Sequence, residues 1–164
     1  SDKLAQFVTE ILELSRIREG KLPMKPVDFD LSVLLTELIT ALRPVCEQEM
    51  LLECEHPCFV KADPDRIRQV LYNLISNAVE HGDKSPIRIR LLERSDTVRC
   101  EIVSGGSPLA EEECRTIWER YYRENEDEHG RGIGLSIVSA ILTAHGAAFG
   151  VEAVEYGNCF WFEL

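Results

Sequence analysis

The chain has 164 residues, 45% of them hydrophobic and 29% charged, which suits one ordinary domain with an appended element. A net charge of −11 and a pI near 4.8 repel phosphate backbones, which argues against nucleic-acid binding and opposes any anionic ligand unless a metal or local positive dipoles intervene. No apolar run approaches the roughly 18 residues of a membrane-spanning helix, and no basic-then-apolar leader opens the chain, so no membrane contact is expected.

In chain order, residues 1–19 repeat apolar side chains at 4, 7, 8, 11 and 12, which is helical spacing, with Gly20 as a stop. The chain starts abruptly inside this helix at Ser1, as an excised piece of a longer protein would. "KLPMKPVDFD", 21–30, carries two prolines and reads as a linker at a domain boundary. Asp30 can cap a second helix, "LSVLLTELITALRPVCEQEM", with a kink at Pro44. "LLECE" and "CFVKA" read as short strands around His56-Pro57.

Asp63 as N-cap and Pro64 at the first helical position open a helix running to about His81. "PIRIRLLER" and "TVRCEIVS" alternate as paired strands joined at Ser95-Asp96. "EEECRTIWERYYR" is helical, "ENEDEHGRG" is a polar loop, and "IGLSIVSAILTAHG" is a helix closed by Gly146. "AFGVEAVE" and "NCFWFEL" are strands turning at Tyr156-Gly157-Asn158. Helices and strands in blocks favour an α+β sandwich with helices on one face of a mixed sheet.

Six cysteines, at 46, 54, 58, 100, 114 and 159, form no C-x-x-C pair. Cys54, His56 and Cys58 lack a second ligand pair at zinc spacing, so the thiols read as reduced, small hydrophobes.

Two stretches carry chemistry. In "RIRQVLYNLISNAVEHG", 66–82, Ile67, Val70, Leu71, Leu74, Ile75 and Ala78 make an apolar stripe, and Asn73, Asn77 and Glu80 cluster along one border of it. Amide oxygens on such a border can complete the shell of a hard cation such as Mg2+, although two asparagines alone are more often plain surface polarity. In "GRGIGLSIV", 130–138, three alternating glycines precede a helix, whose first N–H groups and positive dipole end favour an anion. A glycine triplet also suits a plain loop.

Together and in this order, the segments resemble the catalytic ATP-binding domain of sensor histidine kinases. "DPDRIRQVLYNLISNAVEHG" resembles that family's N box, "GRGIGLSIVSAILTAHG" its second glycine box, and "IWERYYR" the aromatic-basic segment before the ATP lid. "ILELSRIREGKLPMKPVDFDLSVLLTEL" resembles the end of the dimerisation hairpin and the entry into the kinase domain. The resemblance implies a Bergerat-type two-layer α/β sandwich at 31–164, a linker at 21–30 and the tail of the hairpin at 1–20. It implies ATP and Mg2+ as ligands, with Asn77 on the metal and Asn73 in the same pocket. Gly130, Gly132 and Gly134 would surround the phosphates, with Arg123 near the terminal one, and His81, Ser104, Gly106, Tyr122, Arg131 and Leu135 would complete the pocket. It further implies a homodimeric parent, a response-regulator partner and the cytoplasmic side of a membrane sensor.

The chain departs from the family at the first glycine box. Where D-x-G-x-G is expected it has Ser104-Gly105-Gly106-Ser107-Pro108, so the charged acceptor for the adenine amino group is missing. Glu80 stands where a basic residue is frequent, and the lid carries Glu124, Glu126, Asp127 and Glu128. None of His56, His81, His129 and His145 lies in a phospho-acceptor context, so the acceptor is expected outside this chain. His81 is expected in the pocket wall, and His145 at a helix end where positive charge is favourable. The expected function is γ-phosphoryl transfer from ATP to that external histidine. The alternative is a degenerate, non-catalytic module kept for docking or signalling.

Overall fold

The computed structural model describes residues 2–21, 23–119 and 133–164, and for residues 3 and 7 the backbone alone. The first helix, α1 (Asp2–Arg18), ends where the sequence places its stop. Gly20 adopts φ 69°, and the N–H groups of Gly20 and Lys21 reach back to Ile17 and Arg16 carbonyls at 3.1 and 2.9 Å. That left-handed closure suits a residue without Cβ.

The stretch read as a linker holds a strand, β1 (Val27–Asp30). It pairs antiparallel with β3 (Phe59–Ala62), Val27 facing Ala62 and Asp30 facing Phe59. Asp30 then caps α2 (Leu31–Leu42), its carboxylate accepting from Ser32 N at 3.0 Å and from Cys58 N at 3.0 Å. Bonding by the Ser32 hydroxyl and these amides holds the Asp30 carboxyl below the usual carboxylate range, against the opposing effect of burial. The second helix is shorter than its sequence pattern. It stops at Leu42, a 3₁₀ turn spans Arg43–Val45, and Met50 already starts β2 (Met50–Glu53). Pro44 lacks an N–H and its ring crowds the preceding turn, so it ends the helix rather than bending it.

The helix that carries Asn73 and Asn77 is α3 (Pro64–His81). Its expected stripe of Ile67, Val70, Leu71, Leu74, Ile75 and Ala78 is buried throughout. Full burial of each larger aliphatic stabilises by about 1.5–3 kcal/mol. After it come β4 (Ile87–Glu93), β5 (Val98–Gly105), α4 (Glu111–Thr116), α5 (Gly134–Ala144), β6 (Ala148–Val154) and β7 (Gly157–Glu163). Gly146, at φ 67°, closes α5 as Gly20 closes α1.

The main sheet has the order β2-β4-β5-β7-β6, parallel between β2 and β4 and antiparallel elsewhere. Helices pack on one face, where Ile87, Ile89, Ile102, Phe160 and Phe162 meet the α3 stripe and Ile137, Val138 and Ile141 of α5. The opposite face carries charge. Glu101 bonds Arg90 and, at 3.0 Å, Arg99, whose guanidinium lies 4.2 Å from the Trp161 ring centre. Burial raises the Glu101 carboxyl, but the two arginines outweigh it and hold the group low.

The first helix lies against α5. Leu14 and Ile17 are buried in the common core, and Glu13 bonds Arg66 and, at 2.8 Å, Gln69 of α3. Leu4, Val8 and Leu12, three members of the expected apolar stripe, face outward instead.

Candidate functional site

Three segments meet along the border of α3. Near its middle, Asn73 Nδ2 lies 3.4 Å from the carbonyl of Gly134, the first residue of α5. At its end, the Asp83 N–H donates to Gly105 O at 2.9 Å, and a Cβ on Gly82 would touch Ser104 Cβ at 3.4 Å. Eight residues separate Asn73 from His81, so the border between the two junctions is about 12 Å long. Asn77 stands halfway and half-buried, and among the described residues its amide makes no hydrogen bond.

Ser104 is buried on the helix-facing side of β5, and its hydroxyl likewise makes no hydrogen bond among the described residues. Gly106 follows at φ 135°, its N–H donating to Tyr156 O at 2.9 Å. The turn is braced from below. A Cβ on Gly157 would fall 1.9 Å from Ser104 O, so only glycine fits. Asn158, opposite Ser104 in the sheet, accepts from Leu109 N at 2.8 Å and donates to Ser107 O at 3.0 Å, clamping the loop that contains Pro108. Sequence reasoning placed Asn158 in a turn and missed this role, because its partners lie about fifty residues away. Asp83 was also missed. Its carboxylate accepts from the Ser85 hydroxyl and amide, which hold it below the usual range, and it occupies the space a Cβ on Gly105 would need.

The structure thus brings together Asn73, Asn77, Ser104, Gly106 and Gly134 around one border. Leu135 follows Gly134 and is half-buried. His81 is exposed at the helix end, 3.8 Å from Glu80, which is also exposed. Tyr122, Arg123, Gly130, Arg131 and Gly132, with His129 and the acidic residues Glu124, Glu126, Asp127 and Glu128, lie outside the described residues. No group of three or more His, Cys, Asp or Glu able to hold a metal occurs among the described residues.

His145 departs from its expected role. Its Nδ1 lies 2.8 Å from Ile141 O, and its Nε2 accepts from Asp63 N at 3.1 Å. The network assigns a neutral ring with the proton on Nδ1, so His145 links the end of α5 to the cap of α3 instead of offering positive charge. Asp63 is the hub of that joint. Its Oδ1 accepts from Asp65 N at 3.1 Å and its Oδ2 from Lys25 N at 3.0 Å. Burial raises the Asp63 carboxyl, but the N–H groups of Lys25, Arg66 and Asp65 prevail and keep it low. Ser136, fully buried in α5, donates to Trp118 O at 3.2 Å, and Trp118 packs edge-on against Phe149 and Phe160. That fastens the segment after α4 to the body of the domain.

Residues 62–164 match the family of histidine kinase-, DNA gyrase B- and HSP90-like ATPases. The chain is 33% identical to the bacteriophytochrome of Pseudomonas aeruginosa over 93% of its own length, and spans 22% of that protein. The catalytic domain of the histidine kinase ThkA superimposes with a TM-score of 0.77 at 29% identity, over 86% of this chain and 95% of that one. Histidine kinase ThkA has also been solved in complex with the response regulator protein TrrA; it aligns over 99% of this chain and 48% of its own at 27% identity, with a TM-score of 0.76. Full-length ShkA, crystallised with AMPPNP, gives a TM-score of 0.86 at 25% identity, over 99% of this chain and 35% of that one. The chain belongs to the histidine kinase-, DNA gyrase B- and HSP90-like ATPase family, as a histidine kinase-type ATPase domain homologous to those of sensor histidine kinases.

No described helix is long and apolar enough to cross a membrane.

Proposed function

We propose that this chain binds ATP with Mg2+ along the border of α3 and transfers the γ-phosphoryl group to a histidine outside the chain. The observation that carries the reading is the junction of Asn73 with Gly134, with the Asn77 amide one turn further on, which makes no hydrogen bond among the described residues. A hard cation that keeps its waters and arrives on phosphates needs only one or two protein oxygens, so a lone half-buried amide suits Mg2+ better than an acidic cage would. Asn77 Oδ1 would hold it, and the ion when bound supplies positive charge beside the phosphate oxygens. The first N–H groups of α5 would face the phosphates, where the helix end favours negative charge.

Phosphoryl transfer asks a protein mainly for positioning and electrostatic stabilisation. Asn73 stands where hydrolytic relatives of the resembled class carry a glutamate base, and an amide cannot accept a proton from water. That favours transfer to a side chain over hydrolysis. The outward Val8 and Leu12 face of α1 suits a second helix in a homodimeric parent, and a response regulator would receive the phosphoryl group from the phosphohistidine. In this reading residues 1–20 close a dimerisation hairpin and 31–164 form the ATP-binding domain.

A second reading, a degenerate docking module, draws on Ser104 and Pro108. An uncharged hydroxyl replaces a carboxylate acceptor at the adenine position, which costs about 1–3 kcal/mol, or roughly ten- to a hundredfold in affinity. Titration of an ATP analogue with and without Mg2+ separates the two. Weak, Mg2+-dependent binding that Ser104→Asp tightens supports the kinase reading. Silence at millimolar nucleotide in the wild type and in Ser104→Asp supports the module.

A further inference from the structure

Cys54 directly follows the last residue of β2, and Cys58 directly precedes β3. Their sulfurs lie 3.8 Å apart, and both point at one acceptor, the His56 carbonyl, at 2.9 and 3.3 Å. The three residues between them, Glu55, His56 and Pro57, are exposed. The two thiols differ in setting. Cys54 is half-buried and reachable, whereas Cys58 is buried. The Cys58 backbone is tied on both sides to the start of α2, its N–H donating to Asp30 Oδ1 at 3.0 Å and its carbonyl accepting from Leu31 N at 2.8 Å.

From this arrangement we propose that Cys54 and Cys58 form a thiol–disulfide exchange pair, a modification site that reacts with low-molecular-weight disulfides of the glutathione class. The Cys54 thiolate, its proton given to water, attacks one sulfur of the small disulfide. The S–S bond of that molecule breaks, one thiolate leaves and takes up a proton, and Cys54 carries a mixed disulfide. Cys58, deprotonated in turn, attacks the Cys54 sulfur and expels the second small thiol. One protein dithiol and one small disulfide become one protein disulfide and two small thiols, so electrons and protons balance. Burial, and Cys54 beside it, push the Cys58 thiol up to about 11, which leaves Cys54 as the group that attacks first. Proximity compensates in the second step, because a sulfur already in contact acts at high effective concentration.

The modification closes a small ring between a strand of the main sheet and the strand that leads to Asp63, away from the border of α3. The two buried thiols of the main sheet, Cys100 and Cys159, serve as internal controls. Burial pushes the thiols of Cys100 and Cys159 up, the latter to about 12, and both are buried.

The experiment equilibrates the folded chain in glutathione buffers of graded oxidised-to-reduced ratio, blocks free thiols by alkylation and maps the peptides by mass. The expected product in oxidising buffer is a Cys54–Cys58 disulfide, with Cys100 and Cys159 unmodified. Cys58→Ser should hold a lasting glutathione adduct on Cys54, and Cys54→Ser should leave Cys58 without one. Free, alkylated Cys54 and Cys58 at the most oxidising ratio would overturn the proposal, as would stable adducts on both thiols with no internal disulfide. Should Cys58→Ser fail to fold, the wild type and Cys54→Ser decide between the same outcomes.

Discussion

The two halves of α3 put polar residues to opposite uses. At its start, Asp63 spends its carboxylate on the amides of Lys25, Asp65 and Arg66, and its own N–H on His145. Past its middle, Asn77 is half-buried with no hydrogen bond among the described residues, and Ser104 beside the helix end is buried with none either. Both halves share one buried stripe, so packing does not separate them. What separates them is whether the protein completes its own polar groups. A satisfied group holds the fold together; an unsatisfied one on a half-open border is available to a ligand.

Substitutions at four positions test that division, beginning with the heaviest. Leu71→Ala removes a fully buried side chain from the shared stripe and should cost about 2–5 kcal/mol in denaturant unfolding. A cost below 1 kcal/mol would mean the stripe is not the common core. Gly157→Ala places a methyl against the Ser104 carbonyl and should cost about 1–3 kcal/mol while disturbing the turn at Gly106. Wild-type stability in that variant would show that the close approach is not real.

Asp63→Ala should lower stability by about 1–2 kcal/mol through loss of the cap. This effect carries a pH signature. The folded-state carboxyl of Asp63 is held below its unfolded value, so its contribution is present above the ordinary carboxylate range and is lost as pH falls through that range toward the folded value. Asp63→Asn keeps an acceptor but cannot titrate, so the stability gap between it and the wild type should close in acid. A gap independent of pH would contradict the assignment. Asn77→Ala should change stability least, within about 0.5 kcal/mol.

Much of this was legible in the sequence where the chemistry is local. Asp63 and Pro64 announce the start of α3, Gly20 and Gly146 mark helix ends, and alternation along 86–94 and 97–104 gives the paired strands β4 and β5 to within a residue at each end. Nonlocal partnerships were hidden. The strand β1 exists because Val27 pairs with Ala62, and two nearby prolines made its surroundings look like linker. Met50 reads as helical until β4 supplies a parallel neighbour. His145 looks like a helix-end cation until Asp63, 82 residues away, donates to its second nitrogen. At the site, the asparagines were visible through helical periodicity, whereas the clamp by Asn158 and the contact of Cys54 with Cys58 needed the fold.

The most direct test of the central claim pairs two readings on Asn77→Ala: its melting temperature alone, and the shift in that temperature when an ATP analogue and Mg2+ are added. A ligand that binds only the folded state raises the melting temperature, by an amount that grows with the logarithm of its concentration over Kd. The account predicts an unliganded value close to the wild type and a Mg2+-dependent shift that disappears. A variant that melts several degrees lower, yet keeps the full nucleotide shift, would place Asn77 among the residues that hold the fold and leave the nucleotide site elsewhere.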